Sequence, residues 1–113
     1  MYRLERGENV TRDLEAIYDF LFASYVSFGE HAEDAAAAVS DRVTRIEISL
    51  EALAALPHQG TLRPDFLSGL RSVTKDRAVF YFTVDDEAGV VRVLAVFFGG
   101  QDHQREMLKR VRG

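Results

Sequence analysis

The residues of this chain that could carry chemistry lie mainly in its second half. Histidine titrates near neutral pH, so the imidazole of His103 could donate or accept a proton. Tyr81 offers a phenol hydroxyl, although a core position is its simpler interpretation. The simpler interpretation of His103 is a polar residue at the start of a helix. Basic side chains in the same region could bind an anionic group: Arg71, Lys75, Arg77 and Arg92.

Other kinds of reactive site lack a supporting pattern. The chain has no cysteine, so it offers no disulfide, thiolate nucleophile or thiolate metal site. His31, His58 and His103 are too far apart in sequence for a metal-binding motif, and no serine lies in the Gly-x-Ser-x-Gly pattern of a nucleophile elbow. Gly99-Gly100 lacks the spacing of a phosphate-binding loop, so we interpret it as a strand end. We therefore expect no metal and no cofactor.

Charge is unevenly distributed along the chain, whose net charge is −4. Residues 1–56 hold five arginines against eleven acidic residues, whereas residues 57–113 hold nine basic against seven acidic residues. An acidic protein does not attract polyanions at long range, so nucleic acid could be bound only through a local patch on the C-terminal half. No apolar run approaches the roughly 18 residues of a membrane span, and the N-terminus does not resemble a signal peptide. We expect a soluble cytoplasmic protein.

A β-hairpin is predicted to position Tyr81 and Arg92. Two apolar runs, residues 78–84 and 90–98, flank turn residues that end in Gly89, which can adopt a positive φ. Residues 69–75 predict a further strand that precedes the hairpin. The two runs are apolar on both faces, so either both faces are covered within the chain or one face is left for a partner. The partner-binding residues that we predict on this basis are Arg71, Phe80, Phe82, Phe97 and Phe98.

Two amphipathic helices are predicted before the hairpin. Apolar residues recur at three- and four-residue steps over residues 10–28, with Asn9 or Thr11 as the N-cap and Gly29 as the end. A second series predicts a helix over about residues 31–56. Because the connection between them is short, the two helices should form an antiparallel hairpin.

A short strand and a last helix complete the predicted order. Residues 2–5 alternate between apolar and charged side chains, which indicates a short strand. Residues 58–68 show no periodicity and predict a surface loop, and Asp102 is a suitable cap for a C-terminal helix. We predict one α+β domain over residues 1–113, in which an αα-hairpin packs on a small, mainly antiparallel sheet of three or four strands.

The order of elements and several motifs resemble the RelE/ParE superfamily of type II toxin–antitoxin toxins. Residues 13–18, DLEAIY, are similar to the start of the family's first helix, and residues 53–60, LAALPHQG, resemble its L-x-x-x-P-x-x-G helix end. Residues 69–71 resemble the G-L-R opening of its second strand. Residues 79–82 and 93–102 resemble its I-x-Y…V-x-I-L-x-V…D ending. The resemblance covers nearly the whole chain.

The resemblance implies one of two activities. ParE-like members poison DNA gyrase by protein contact, whereas RelE-like members cut mRNA in the ribosome with basic and aromatic residues on the sheet. RNA cleavage requires proton transfer at the 2′-hydroxyl and the leaving oxygen, and stabilisation of the charged phosphorane. In a RelE-like enzyme the residues available for these roles would be Arg71, Tyr81, Arg92 and His103, with Lys75 and Arg77 as further basic groups. Both branches imply a cognate antitoxin, through which DNA is contacted only indirectly.

The acidic charge favours the ParE-like branch. A ribosome-bound nuclease needs phosphate contacts, and each basic contact that is lost weakens binding steeply. We therefore expect a ParE-like toxin without enzymatic activity, which inhibits growth by binding DNA gyrase and is neutralised by an antitoxin. Residues 95–100 stand where a basic or His-containing segment commonly follows the last strand of ParE proteins. The cellular target of this chain therefore stays open. A RelE-like, ribosome-dependent mRNA endoribonuclease and a non-toxic protein-interaction module stay as alternatives.

Overall fold

The computed structural model describes residues 1–99 and 102–113 and has a helical layer on one face of a five-stranded sheet. The strands follow the order β1-β5-β4-β3-β2, in which only the β1–β5 pair is parallel. The predicted α+β fold is confirmed. Its elements are β1 (Arg3–Arg6), α1 (Val10–Ser27), α2 (Ala32–Glu51), a 3₁₀ turn (Ala52–Ala55), β2 (Thr61–Leu62), β3 (Arg71–Lys75), β4 (Ala78–Asp85), β5 (Val90–Phe98) and α3 (His103–Arg112).

The sheet contains one strand more than the three or four that the sequence predicted. The additional strand is β2, which lies within residues 58–68, the predicted loop. With only two residues it is too short to show the alternation by which strands are recognised. Gly60 precedes it with a φ of +85°, and a Cβ atom there would collide with the carbonyl oxygen of Ser72 on β3. A glycine at this position therefore lets the loop approach the sheet closely.

The two long helices lie close to their predicted bounds. Asn9 occupies the N-cap position of α1, but its side chain makes no capping hydrogen bond. Gly29 has a φ of +95°, the left-handed conformation that commonly ends a helix. The α-helical part of α2 ends at Glu51 rather than near Leu56. Proline disfavours the helical conformation in the residue before it, and Leu56, which precedes Pro57, has a φ of −133° and a ψ of 72°.

A bulge in the β4–β5 hairpin changes which residues of β5 face the helices. The pairing passes from Tyr81 opposite Ala95 to Phe82 opposite Val93, so that Leu94 is an extra residue. Such a bulge shifts the alternation of side chains along one strand. Val93 and Val96 therefore both face the helices, whereas Ala95 faces the opposite side of the sheet. The strand β5 ends at Phe98 before Gly99, as predicted; Gly100 lies outside the described residues.

The chain itself covers both faces of the sheet, which is the first of the two possibilities that the sequence left open. The helices α1 and α2 pack on one face, whose core includes Ile17, Val39 and Leu50. On the other face Met107 of α3 packs against Tyr81 and its neighbours. The four aromatic residues that we predicted as a partner surface are consequently all buried: Phe80, Phe82, Phe97 and Phe98.

Candidate functional site

The two arginines predicted for RNA cleavage lie on opposite faces of the sheet. Arg71 is opposite Phe82, which faces the helices, and its guanidinium donates a hydrogen bond to the carbonyl of His58 at 2.8 Å. Arg92 alternates with residues that face the helices and so lies on the other face. It donates to the carboxylate of Glu5 on β1 at 2.6 Å. The two guanidinium groups are thus each committed to a separate intramolecular contact and do not converge on one point.

Tyr81 and His103 are brought together beneath α3. The Tyr81 hydroxyl lies 2.8 Å from Nδ1 of His103, the first residue of α3. Burial raises the pKa of Tyr81, an effect that the charge of Arg63 partly offsets. The phenol therefore stays protonated at neutral pH and can donate to a neutral imidazole. Because Tyr81 is fully buried, this contact joins β4 to α3 and gives the hydroxyl no access to a substrate.

Arg63 was not predicted as a functional residue, yet it lies on the same face as Tyr81. Its Nε donates to the hydroxyl of Ser72 on β3 at 3.0 Å, and Ser72 is opposite Tyr81 in the β3–β4 pair. A phenol, an imidazole and a guanidinium thus gather on the face covered by α3. The loop position of Arg63 and the absence of local periodicity gave no signal for this placement.

An ion pair between a buried carboxylate and a partly exposed arginine holds α3 against α1. Asp13 on α1 is 5% exposed, and its two oxygens accept hydrogen bonds from Arg110 of α3 at 2.8 and 2.6 Å. Its Oδ2 also accepts from the backbone N–H of Val96 at 3.0 Å. The hydrogen bonds to Asp13 raise the pKa of Arg110. Asp13 lies among the buried, mostly apolar residues of α1. A carboxylate at such a position could have indicated a buried charge that needs a basic partner.

A second polar cluster ties the N-terminus to the hairpin turn. The carboxylate of Asp86 accepts a hydrogen bond of 2.5 Å from the hydroxyl of Tyr2 and lies 2.7 Å from Nε2 of His58. These contacts hold the pKa of Asp86 below its ordinary value. The hydrogen bond from Tyr2 has the largest effect, and the hydrogen bond with His58 has the next largest. Residues distant in sequence meet here, so no local motif could have indicated the cluster.

Replacing Asp86 with asparagine should reduce stability at neutral pH and should matter less in acid. A lowered pKa means that the ionised carboxylate stabilises the folded state above the ordinary value of 3.8. That contribution is lost as the pH falls through the still lower pKa of the folded state. Urea denaturation at several pH values between about 2 and 7 measures the difference in unfolding free energy. Glu87→Gln, in the same exposed turn, is the control; a D86N difference that does not shrink in acid contradicts the assignment.

The described part of the chain, residues 1–99 and 102–113, offers no metal site. Within it, no three histidine, aspartate or glutamate side chains come together in a group that could hold a metal ion. None of its helices combines the length and the apolar character that a bilayer crossing requires.

Three solved structures are similar to this chain over most of its length. The chromosomal ParDE toxin–antitoxin system from P. aeruginosa includes a chain that is 27% identical, with a TM-score of 0.56 over 88% of this chain and 97% of that one. The fold of this chain is that of the RelE/ParE toxins. Two further structures share this fold. They are the RelBE2 toxin–antitoxin complex from Mycobacterium tuberculosis, with 19% identity, a TM-score of 0.50 and coverage of 86% and 96%, and the isolated E. coli RelE toxin, with 15% identity, a TM-score of 0.53 and coverage of 98% and 99%.

The likeness to the RelE/ParE toxins rests on the fold and on the 27% identity to the chain of the ParDE system. No protein-family model matches the chain, and no curated protein matches it by sequence. Two of the motifs that resembled the superfamily lie at the ends of elements in this structure. Leu53 is buried at the end of the helical hairpin, and Arg71 is the first residue of β3, directly after the buried Leu70.

Proposed function

We propose that this chain is a ParE-like toxin of a type II toxin–antitoxin system, which acts in the cytoplasm. It inhibits growth by binding a protein target, DNA gyrase, and a cognate antitoxin neutralises it. The observation that carries this proposal is the dispersal of the groups needed for RNA cleavage. Arg71 and Arg92 lie on opposite faces of the sheet in contacts of their own, and Tyr81 is buried.

The similar structures support the same choice. The chain from the ParDE system has higher sequence identity than the chains from the two Rel structures. Two of the three structures are described as a toxin–antitoxin system or complex, which supports an antitoxin as partner of this chain. Its net charge of −4 also disfavours a function that depends on many phosphate contacts.

Induced expression of the chain in bacteria tests this proposal. We expect growth to stop, and transcripts to show no cuts linked to codons when their 5′ ends are mapped. Tyr81→Phe and His103→Gln should remain as toxic as the unaltered chain, because the polar groups that they remove contact each other within the chain. Unchanged growth under full induction would favour the non-toxic interaction module instead.

One observation favours a RelE-like endoribonuclease as the second candidate. Tyr81, His103 and Arg63 provide a phenol, an imidazole and a guanidinium on one face of the sheet. These are groups that could transfer protons and stabilise a phosphorane, provided that α3 moves away and exposes Tyr81. For such an enzyme, Tyr81→Phe and His103→Gln would abolish both the transcript cuts and the toxicity. The two variants therefore separate the candidates.

A further inference from the structure

Three arginines from two elements line one open cavity on the helical side of the molecule. Arg42 and Arg45 lie one turn apart on α2, and Arg77 lies in the turn between β3 and β4; with Asp76 they surround a cavity of about 310 Å³. Within residues 1–99 and 102–113, none of these three guanidinium groups forms an ion pair. The site thus concentrates positive charge on an acidic protein.

Two of these guanidinium groups are held in place by an aromatic ring. The guanidinium carbons of Arg42 and Arg77 lie 5.6 and 5.4 Å from the centre of the Phe98 ring. At this distance a ring attracts a cation through its quadrupole. A ring face does not neutralise the positive charge as a carboxylate does, so the N–H groups directed away from Phe98 stay available to an anion.

The turn that presents Arg77 has an unusual backbone. Asp76 and Arg77 have φ values of 53° and 65°, in the left-handed region that residues other than glycine rarely adopt. Two successive residues of this kind are typical of a tight hairpin turn, where asparagine and glycine are preferred. The carboxylate of Asp76 accepts a hydrogen bond from the hydroxyl of Ser49 on α2. This contact fixes the turn against α2 through Oδ2 of Asp76. The negative charge of Asp76 remains, but three arginines outnumber it around the cavity.

The surroundings of the three arginines favour a carboxylate-bearing peptide as the ligand. Guanidinium groups bind planar carboxylates through paired hydrogen bonds. Binding to a nucleic-acid backbone requires a run of phosphate contacts, whereas residues 1–56, which include all of α2, carry more than twice as many acidic as basic residues. A short segment with a few acidic side chains fits such a small basic area better.

Exposed apolar side chains adjoin the same arginines. Ile48 follows Arg45 by three residues, so the two share a face of α2, and Ile48 is 63% exposed. Phe20 on α1 is 49% exposed, and its ring centre lies 6.1 Å from that of Phe98. The surface therefore combines positive charge with apolar area, which suits an amphipathic segment.

We propose that Phe20, Arg42, Arg45, Ile48 and Arg77 form a docking surface for a short, acidic, amphipathic segment of a protein partner. The acidic side chains of that segment bind the three guanidinium groups, and its apolar side chains cover Phe20 and Ile48. The identification of the partner as the cognate antitoxin rests on the proposed toxin function. The docking chemistry does not depend on it.

A fluorescein-labelled synthetic peptide with glutamate and leucine at helical spacing tests this surface by fluorescence anisotropy with the full chain. Exposed charge pairs contribute little individually, so we expect R45Q to weaken binding about threefold and R42Q/R45Q/R77Q about tenfold or more. R45Q keeps both arginines, Arg42 and Arg77, whose guanidinium groups contact the Phe98 ring. The control R3Q/R12Q/R112Q removes the same charge at exposed sites elsewhere and should change binding less than about twofold.

Three results would overturn the proposal: no binding of the peptide to the unaltered chain, equal weakening in the control, or tighter binding of a single-stranded oligonucleotide of equal charge through the same arginines. Growth under induction is measured separately with the same variants. Peptide binding through these arginines by a chain that leaves growth unchanged would refute the proposed toxin function and retain the docking surface.

Discussion

Replacing Arg110 with methionine should lower the free energy of unfolding by about 3–5 kcal/mol. The substitution leaves the Asp13 carboxylate at 5% exposure with only the backbone N–H of Val96 as a partner. An uncompensated buried charge is among the most destabilising changes a single substitution can make. Equilibrium urea denaturation at neutral pH measures the effect.

Lys109→Met is the matched control for Arg110→Met. Lys109 lies next to Arg110 on α3 and pairs with Glu106 at 3.5 Å, but this pair is exposed, so its loss should cost less than about 1 kcal/mol. The double variant D13N/R110M leaves no buried charge and should be more stable than R110M alone. Equal stabilities of R110M and K109M would contradict a structural role for the Asp13–Arg110 pair.

Replacing Phe82 with alanine should cost about 3–5 kcal/mol of unfolding free energy. The sequence suggested Phe82 as part of a partner surface, whereas the structure buries it completely beneath the helices. Phe28→Ala provides a control with the same chemical change, because Phe28 is 87% exposed, and its stability should stay within about 0.5 kcal/mol of the unaltered chain.

Thermal and urea denaturation distinguish the two roles of Phe82. A core residue affects the unfolding midpoint and leaves a partner's affinity for the folded chain unchanged. If F82A were as stable as F28A, the packing of the sheet against α1 and α2 described above would be wrong.

The sequence predicts the helices and the central hairpin well because local physics determines them. Helical periodicity over residues 10–28 and a left-handed glycine at residue 29 mark α1 without reference to the rest of the chain. The hairpin turn likewise depends on residues adjacent in sequence. The strand β2 was not predicted because the extended conformation of its two residues depends on their pairing with β3.

The candidate sites depend on contacts between distant residues, and the sequence alone therefore indicated them poorly. Asp13 and Arg110 are on different helices and meet only when α3 packs on the sheet. The apolar surplus of β4 and β5 was ambiguous for a related reason: a strand covered by the chain's own helices and a strand awaiting a partner have the same composition. The position of α3 resolves that ambiguity for Tyr81 and Phe97.

We propose that this chain acts on a protein rather than on RNA. Supercoiling of relaxed plasmid DNA by purified DNA gyrase, measured with increasing amounts of the purified chain, tests it most directly. We predict that the chain inhibits supercoiling, and that Tyr81→Phe and His103→Gln inhibit it equally well. Full gyrase activity at a large excess of the chain, together with codon-linked cuts in the transcripts of induced cells, would contradict the proposed function.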